Sequence, residues 1–348
     1  MPLASEDYAL IGDCQTGALV GLDGNIDWLC LPRFDSASTF GALLGDAEQG
    51  HWRVAPEGAS LATSREYRDD TFVLVTRWVT DEGEVEVVDL MPHGDRRADV
   101  LRQVRGIRGR VTMAQSMRIR FDYAATVPWI RQVPEHDGPG PHAHALLAVA
   151  GPDSIVVRGP RLEPDGMVHR SRFVVREGET VNISLTWFPS HREPPAPTDA
   201  EERVRHTEKW WRDWAANIDA TGRYADSVRR SLLLLRALTH EDTGGIVAAA
   251  TTSLPEAFGG KRNWDYRYVW LRDAALTLQA LLNHGFTTEA HDWRDWLLRA
   301  IAGDPADVQI MYGLSGERRL VEWEVESLPG YRGALPVRVG NGAALQFQ

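Results

Sequence analysis

Cysteine is nearly missing. Cys14 and Cys30 are the only two in 348 residues. Two cysteines cannot build a disulfide framework or a four-ligand zinc site, and each lies in an apolar stretch where it reads as a small buried hydrophobe. Lysine is nearly missing as well, with Lys209 and Lys261 alone; a GC-rich coding sequence accounts for that without a functional reason. Positive charge is short overall, 38 basic against 49 acidic residues for a net −11. Such a chain gains nothing from phosphate counterion release, so nucleic acid is excluded as an expected partner. No window approaches the roughly 18 uninterrupted apolar residues of a membrane span. The start, MPLASEDYALIGD, lacks a basic region followed by an apolar run, so no signal peptide is read and a cytoplasmic location is expected.

What remains is the balance of an ordinary globular protein, 43% hydrophobic and 25% charged. The length favours two domains. Tryptophan is abundant, at 13 residues. Its flat face suits sugar rings and equally suits a large core, and the core reading comes first because large apolar side chains are mostly inside.

Residues 1–192 read as β. Short Val-, Ile- and Leu-rich runs are separated by turn signals at Asp23-Gly24, Asp81-Glu82-Gly83, Pro152-Asp153 and Glu177-Gly178. Many short strands with regular turns predict an antiparallel β-sandwich. A proline-rich stretch at 190–197 then opens a linker, taken as 193–222. In it Thr198 and Glu201 fit a capping box ahead of a helix carrying Trp210, Trp211 and Trp214. From 223 to 348 the pattern is helical, with helices expected over 224–239, 271–283 and from 287 or 288 onward, the last two forming an αα-hairpin.

Three clusters could carry chemistry. In Lys261–Asp273, aromatics alternate with Arg and Asp just before a helix; the segment can stack on a sugar ring and hold hydroxyls, or it can be a buried salt-bridge network. Around Glu317, Glu322, Trp323, Glu324 and Glu326, a carboxyl beside Trp could be desolvated into a proton donor, while alternating glutamates also suit a solvated face. The polar residues Asp13, Asp27, Arg33 and Asp35 read as a structural network. His93, His142 and His144 have no convincing metal spacing, so no metal and no cofactor are called for.

Four stretches carry a resemblance: YALIGDCQTGALVGLDGNIDWLCLPRFDS near the start, TGGIVAAATTSLPE at 243–256, RNWDYRYVWLRDAALTL at 262–278, and the 308–341 segment ending PVRVGN. Together they resemble glycoside hydrolase family 15, the glucoamylase, glucodextranase and trehalase family. The resemblance implies an N-terminal sandwich joined by a helical linker to an (α/α)6 barrel, and inverting, exo-acting hydrolysis of a terminal α-glucosidic bond in a small-molecule α-glucoside. It implies that Arg272 and Asp273 bind the non-reducing glucose, with Trp270, Tyr268 and Trp323 lining the site. It places the general acid at Glu324, after Trp323, or at Glu322. Gly330-Tyr331-Arg332-Gly333 resembles the trehalase branch more than the Gly-Tyr-Glu-Gly-Ser variant, so trehalose is the expected substrate, ahead of maltooligosaccharides or a binding-only role. Relatives continue beyond PVRVGN, and the general base is expected past residue 348. The chain is therefore expected to be C-terminally truncated, to hold the first part of the barrel, and to be inactive or nearly so by itself.

Overall fold

A computed structural model describes residues 1–134 and 144–347. The first half is all β: β1 (Tyr8–Gly12), β2 (Gly17–Gly21), β3 (Asn25–Cys30), β4 (Ser38–Phe40), β5 (His51–Pro56), β6 (Ser64–Tyr67), β7 (Leu74–Thr80), β8 (Gly83–Leu90), β9 (Asp99–Arg118), β10 (Trp129–Pro134), β11 (His144–Ala150), β12 (Asp153–Arg158), β13 (Glu163–Asp165), β14 (Val168–Arg176) and β15 (Thr180–Pro189). Every pairing is antiparallel. One sheet runs β1-β2-β3-β5-β9-β14-β13, with β4 beside β3, and the other runs β6-β7-β8-β9-β15-β12-β11-β10.

The 20-residue β9 belongs to both sheets. Residues 99–105 pair with β15, and residues 110–117 pair with β14. The corner between them is glycine for a steric reason: a Cβ on Gly106 would stand 1.9 Å from the Arg176 carbonyl oxygen. The two sheets enclose the main core, in which Ile11, Trp52 and Met117 of one meet Trp78, Val104 and Leu185 of the other. The turn at Glu177-Gly178 therefore does not close a hairpin. It passes the chain from β14 in one sheet to β15 in the other, both on β9.

Helices follow: α1 (Ala200–Ala215), α2 (Ala225–Ala237), then a two-residue β16 (Val269–Trp270), α3 (Leu271–Asn283) and α4 (Thr287–Ala300). Short strands β17 (Met311–Tyr312), β18 (Trp323–Glu324) and β19 (Arg338–Val339) come last. The cap of α1 is Asp199, one residue later than expected; its side chain accepts from the Glu202 N–H at 3.1 Å. Glu201 instead accepts from Gln103 Nε2 of β9, so no reciprocal box forms. Gly285, at φ +90°, ends the turn that packs α4 back on α3.

Five of the 13 tryptophans belong to the buried core. Trp28, Trp52, Trp78, Trp211 and Trp296 are fully buried. Trp210 stacks on His93 and Trp214 on Phe286, tying α1 to its surroundings. Among the described residues no helix is long and apolar enough to cross a membrane.

Candidate active site

The segment 252–273 is pinned to the sandwich by one buried ion pair. Asp265 and Arg267 are wholly buried, with Arg267 Nη2 2.7 Å from Asp265 Oδ2 and Nε 2.9 Å from Oδ1. Arg267 also donates to the Ser36 carbonyl at 2.8 Å and to the Tyr123 hydroxyl at 2.9 Å. Burial alone would lower the Arg267 pKa; Asp265, with Tyr123 and Cys30 beside it, more than reverses this and holds it well above its ordinary value. This Arg–Asp pair is a staple with no hydroxyl-binding capacity left, the second of the two readings open to the cluster.

Two further ties bring the 334–342 strand alongside. Asn341 Nδ2 donates to the Asp265 carbonyl at 3.0 Å, and Asn263 Nδ2 to the Pro336 carbonyl at 3.1 Å. Gly340, at φ +77°, lets this strand press against 321–322, since a Cβ there would meet the Val321 carbonyl oxygen at 1.9 Å. The result is an open cleft of about 360 Å³ lined by Trp264, Tyr266, Trp270, Glu322 and the 341–346 turn.

The aromatic wall is built by spacing. Tyr266 and Trp270 stack with centroids 5.6 Å apart, and the Arg272 guanidinium carbon sits 5.3 Å from the Trp270 ring centre. Arg272 in turn holds Asp273 bidentately through one oxygen, at 2.8 and 3.1 Å. The Arg272 side chain is exposed and that of Asp273 half-buried, unlike the buried pair seven residues earlier, so their polar atoms are open to a ligand, although neither residue is among those lining the cleft. Trp270 Nε1 is buried without a hydrogen-bond partner. Glu322 is the one carboxylate among the residues lining the cleft. Its Oε2 accepts from the Gly342 N–H at 3.0 Å, and its Oε1 lies 3.5 Å from Arg338 Nε.

The other expected site residues fall elsewhere. Tyr268 is buried, packed with Met311 and Ala344, and burial with nearby Asp265 pushes its hydroxyl far above the ordinary tyrosine value. Its neighbour Tyr266 takes the place in the cleft. Trp323 lies edge-on to Tyr123, with centroids 6.0 Å apart. The Glu324 side chain is 64% exposed and 3.6 Å from Arg338 Nη2, so the expected desolvation beside Trp323 is not what the fold provides. Glu326 is exposed, and Glu317 closes its own loop onto the Ser315 N–H at 2.9 Å. Arg338 was not singled out in the sequence, and its partners are distant: Trp264, Glu322 and Lys261. His93 pairs with Glu241 at 2.9 Å, His144 opposes Pro134 across β10 and β11, and His142 lies outside the described residues. Asp13, Asp27, Arg33 and Asp35 form structural contacts: Asp13 accepts from the Gln15 and Thr16 N–H groups, Asp27 from the Tyr8 hydroxyl, and Asp35 from Arg33.

Comparison with known proteins adds three findings. The sequence profile described as trehalase-like, N-terminal, matches residues 2–210, and that of glycosyl hydrolases family 15 matches residues 222–348. A trehalase of Mycolicibacterium smegmatis is 35% identical over 374 residues, covering 98% of this chain and 54% of that one. A trehalase of Thermoplasma acidophilum is 31% identical over 339 residues, covering 95% and 56%. The chain thus spans about half the length of the curated relatives it matches. Among solved structures, a bacterial glucoamylase complexed with acarbose matches with a TM-score of 0.63 over 90% of this chain and 52% of that chain, at 11% identity, a likeness of fold.

Proposed function

Because this chain belongs to glycosyl hydrolase family 15 and carries a trehalase-like N-terminal part, we propose that its cleft is the sugar-binding side of an inverting, exo-acting α-glucosidase centre whose substrate is trehalose. Residues 1–192 form the sandwich, 193–222 the linker, and 223–348 the first part of an (α/α)6 barrel. The observation that carries the reading is the Tyr266–Trp270 stack with Arg272 poised over Trp270 and Asp273 held beside it. Aromatic faces take the C–H side of a glucose ring, and a partly exposed Arg–Asp pair supplies donors and acceptors to its hydroxyls.

Inversion needs one carboxyl to protonate the glycosidic oxygen and another to activate water across the ring. In the cleft Glu322 is the carboxyl that meets the sugar. Glu324, the acid implied by resemblance, stands outside the cleft lining and is the second residue to test. The base is assigned to the part of the family fold that these residues do not include. The curated trehalases support trehalose as the substrate; maltooligosaccharide hydrolysis and binding without turnover are the competing outcomes.

The test is a tryptophan-fluorescence titration of the chain with trehalose, maltotriose and glucose, beside an assay for released glucose. Trehalose is expected to shift the emission saturably, and Trp270→Ala is expected to abolish the shift. Glu322→Gln should weaken binding while Glu324→Gln leaves it unchanged. A preference for maltotriose would move the chain to the glucoamylase reading. No response to any of the three sugars would end the sugar-site reading.

A further inference from the structure

Arg338 joins several separate parts of the cleft and its surroundings. Its backbone is fixed first. The Arg338 N–H donates to Ser253 Oγ at 2.7 Å, and its carbonyl accepts from Thr252 Oγ1 at 2.6 Å and Ser253 Oγ at 2.9 Å. Its side chain, 13% exposed, then reaches in three directions. The guanidinium carbon lies 4.7 Å from the Trp264 ring centre, Nη1 donates to the Lys261 carbonyl at 2.6 Å, and Nε and Nη2 face Glu322 and Glu324 at 3.5 and 3.6 Å. The two glutamates differ in solvent access, 29% for Glu322 against 64% for Glu324, so the pair with Glu322 is the less screened. The β18–β19 ladder is only two residue pairs long, Trp323 with Val339 and Glu324 with Arg338. A ladder that short does not by itself orient Glu322, which precedes it. A planar guanidinium can stack on an indole and face a carboxylate at once, which an ammonium cannot.

We propose that Arg338 is a positioning residue of the sugar site: stacked on Trp264, it holds the Glu322 carboxyl against the Gly342 N–H, so that ring and carboxyl form one rigid wall. The proposal rests on the reading of the cleft as a sugar site, and two readouts separate them. The first needs no sugar. Hydrogen exchange of the Gly342 amide, followed by NMR, is expected to speed up in Arg338→Met, while the Gly340 amide, bonded to buried Asp265, stays protected and reports an intact fold. The second is a double-mutant cycle on trehalose affinity. Arg338→Met is expected to weaken binding about tenfold in the native background and no more than about twofold when Glu322 is already Gln. Arg338→Lys, which keeps the charge and loses the stack, should recover only part of the affinity. It is also the variant to use should Arg338→Met fail to fold, with intermediate Gly342 exchange expected. Unchanged Gly342 exchange, or strictly additive losses in the cycle, would overturn the proposal. If the native chain binds no sugar, the site reading falls and Gly342 exchange alone decides whether Arg338 positions Glu322.

Discussion

Two Asp residues show how burial decides what a carboxylate does. Asp265 faces Arg267 in a site with no solvent, and the pair's further hydrogen bonds reach Cys30, Phe34, Ser36, Tyr123 and Gly340. Removing one partner leaves the other as an uncompensated buried charge. Asp265→Ala is therefore expected to cost about 3–5 kcal/mol, read as a lowered urea midpoint. Among the described residues Asp13 forms no ion pair; burial pushes its carboxyl up to about 7 from an ordinary 3.8, against the Thr16 and Gln15 N–H groups that pull it down. Between about pH 4 and 7 the folded chain keeps this proton and the unfolded chain has lost it, so stability falls as pH rises through that window and levels above it. Asp27, raised to about 6 chiefly by burial, acts in the same direction. Glu241 and Asp95 are held below their ordinary values, Glu241 by His93 and Asp95 by Arg203, and so contribute stability that is lost only at lower pH. Asp13→Asn keeps an oxygen for both N–H groups and is expected to flatten the decline between about pH 4 and 7 in paired urea titrations; an unchanged slope would assign the decline to other groups.

At the scale of elements, local chemistry gave clear signals where the physics is local. Asp23-Gly24 turns β2 into β3, and α3 runs from Leu271 to Asn283 as its apolar spacing predicts. The α1 cap is equally local, and Asp199→Ala is expected to cost about 1 kcal/mol, measured as a shift in thermal midpoint. What could not be read depends on distant partners. Asp265–Arg267 and Arg272–Asp273 are the same two residue types a few positions apart, and only contacts from residues 34, 36 and 123 make one a staple and leave the other open. Tyr266 and Tyr268 alternate on one short stretch, and which faces the cleft depends on how 341–346 folds over it. Arg338 had no signal, because every partner of its side chain is at least 14 positions away. The Glu177-Gly178 turn shows the same limit: its residues specify a reversal, and the length of β9 decides that the reversal changes sheets. Gly106→Ala tests that corner, where the added methyl must displace the Arg176 carbonyl; a loss of about 2 kcal/mol or more is expected in denaturant unfolding.

Across the whole molecule, the two halves are tied at many points. Trp28 Nε1 of β3 donates to the Ala250 carbonyl at 2.9 Å, the Gly330 N–H to Leu44 at 2.7 Å, Ser327 Oγ to Tyr123 at 2.6 Å, and the Tyr331 hydroxyl to Leu3 at 2.9 Å. With Arg267 between them, the cleft segments are built on the sandwich surface rather than beside it. A single calorimetric transition is expected for the chain, and Arg267→Met is expected to split it into two; two transitions in the native chain would contradict that coupling.

The doubly shared strand β9 also sets an order of events during synthesis. Its earlier neighbours β5 and β8 are already made when it emerges, but β14 and β15, which cover its other side in each sheet, end at Arg176 and Pro189, well after β9 ends at Arg118. At about 5–20 residues per second, the strand spends several seconds on the ribosome with two open hydrogen-bonding edges. For that interval the central strand of the folded protein is its most adhesive segment, and slowing translation over residues 120–180 should lower soluble yield without altering the finished fold.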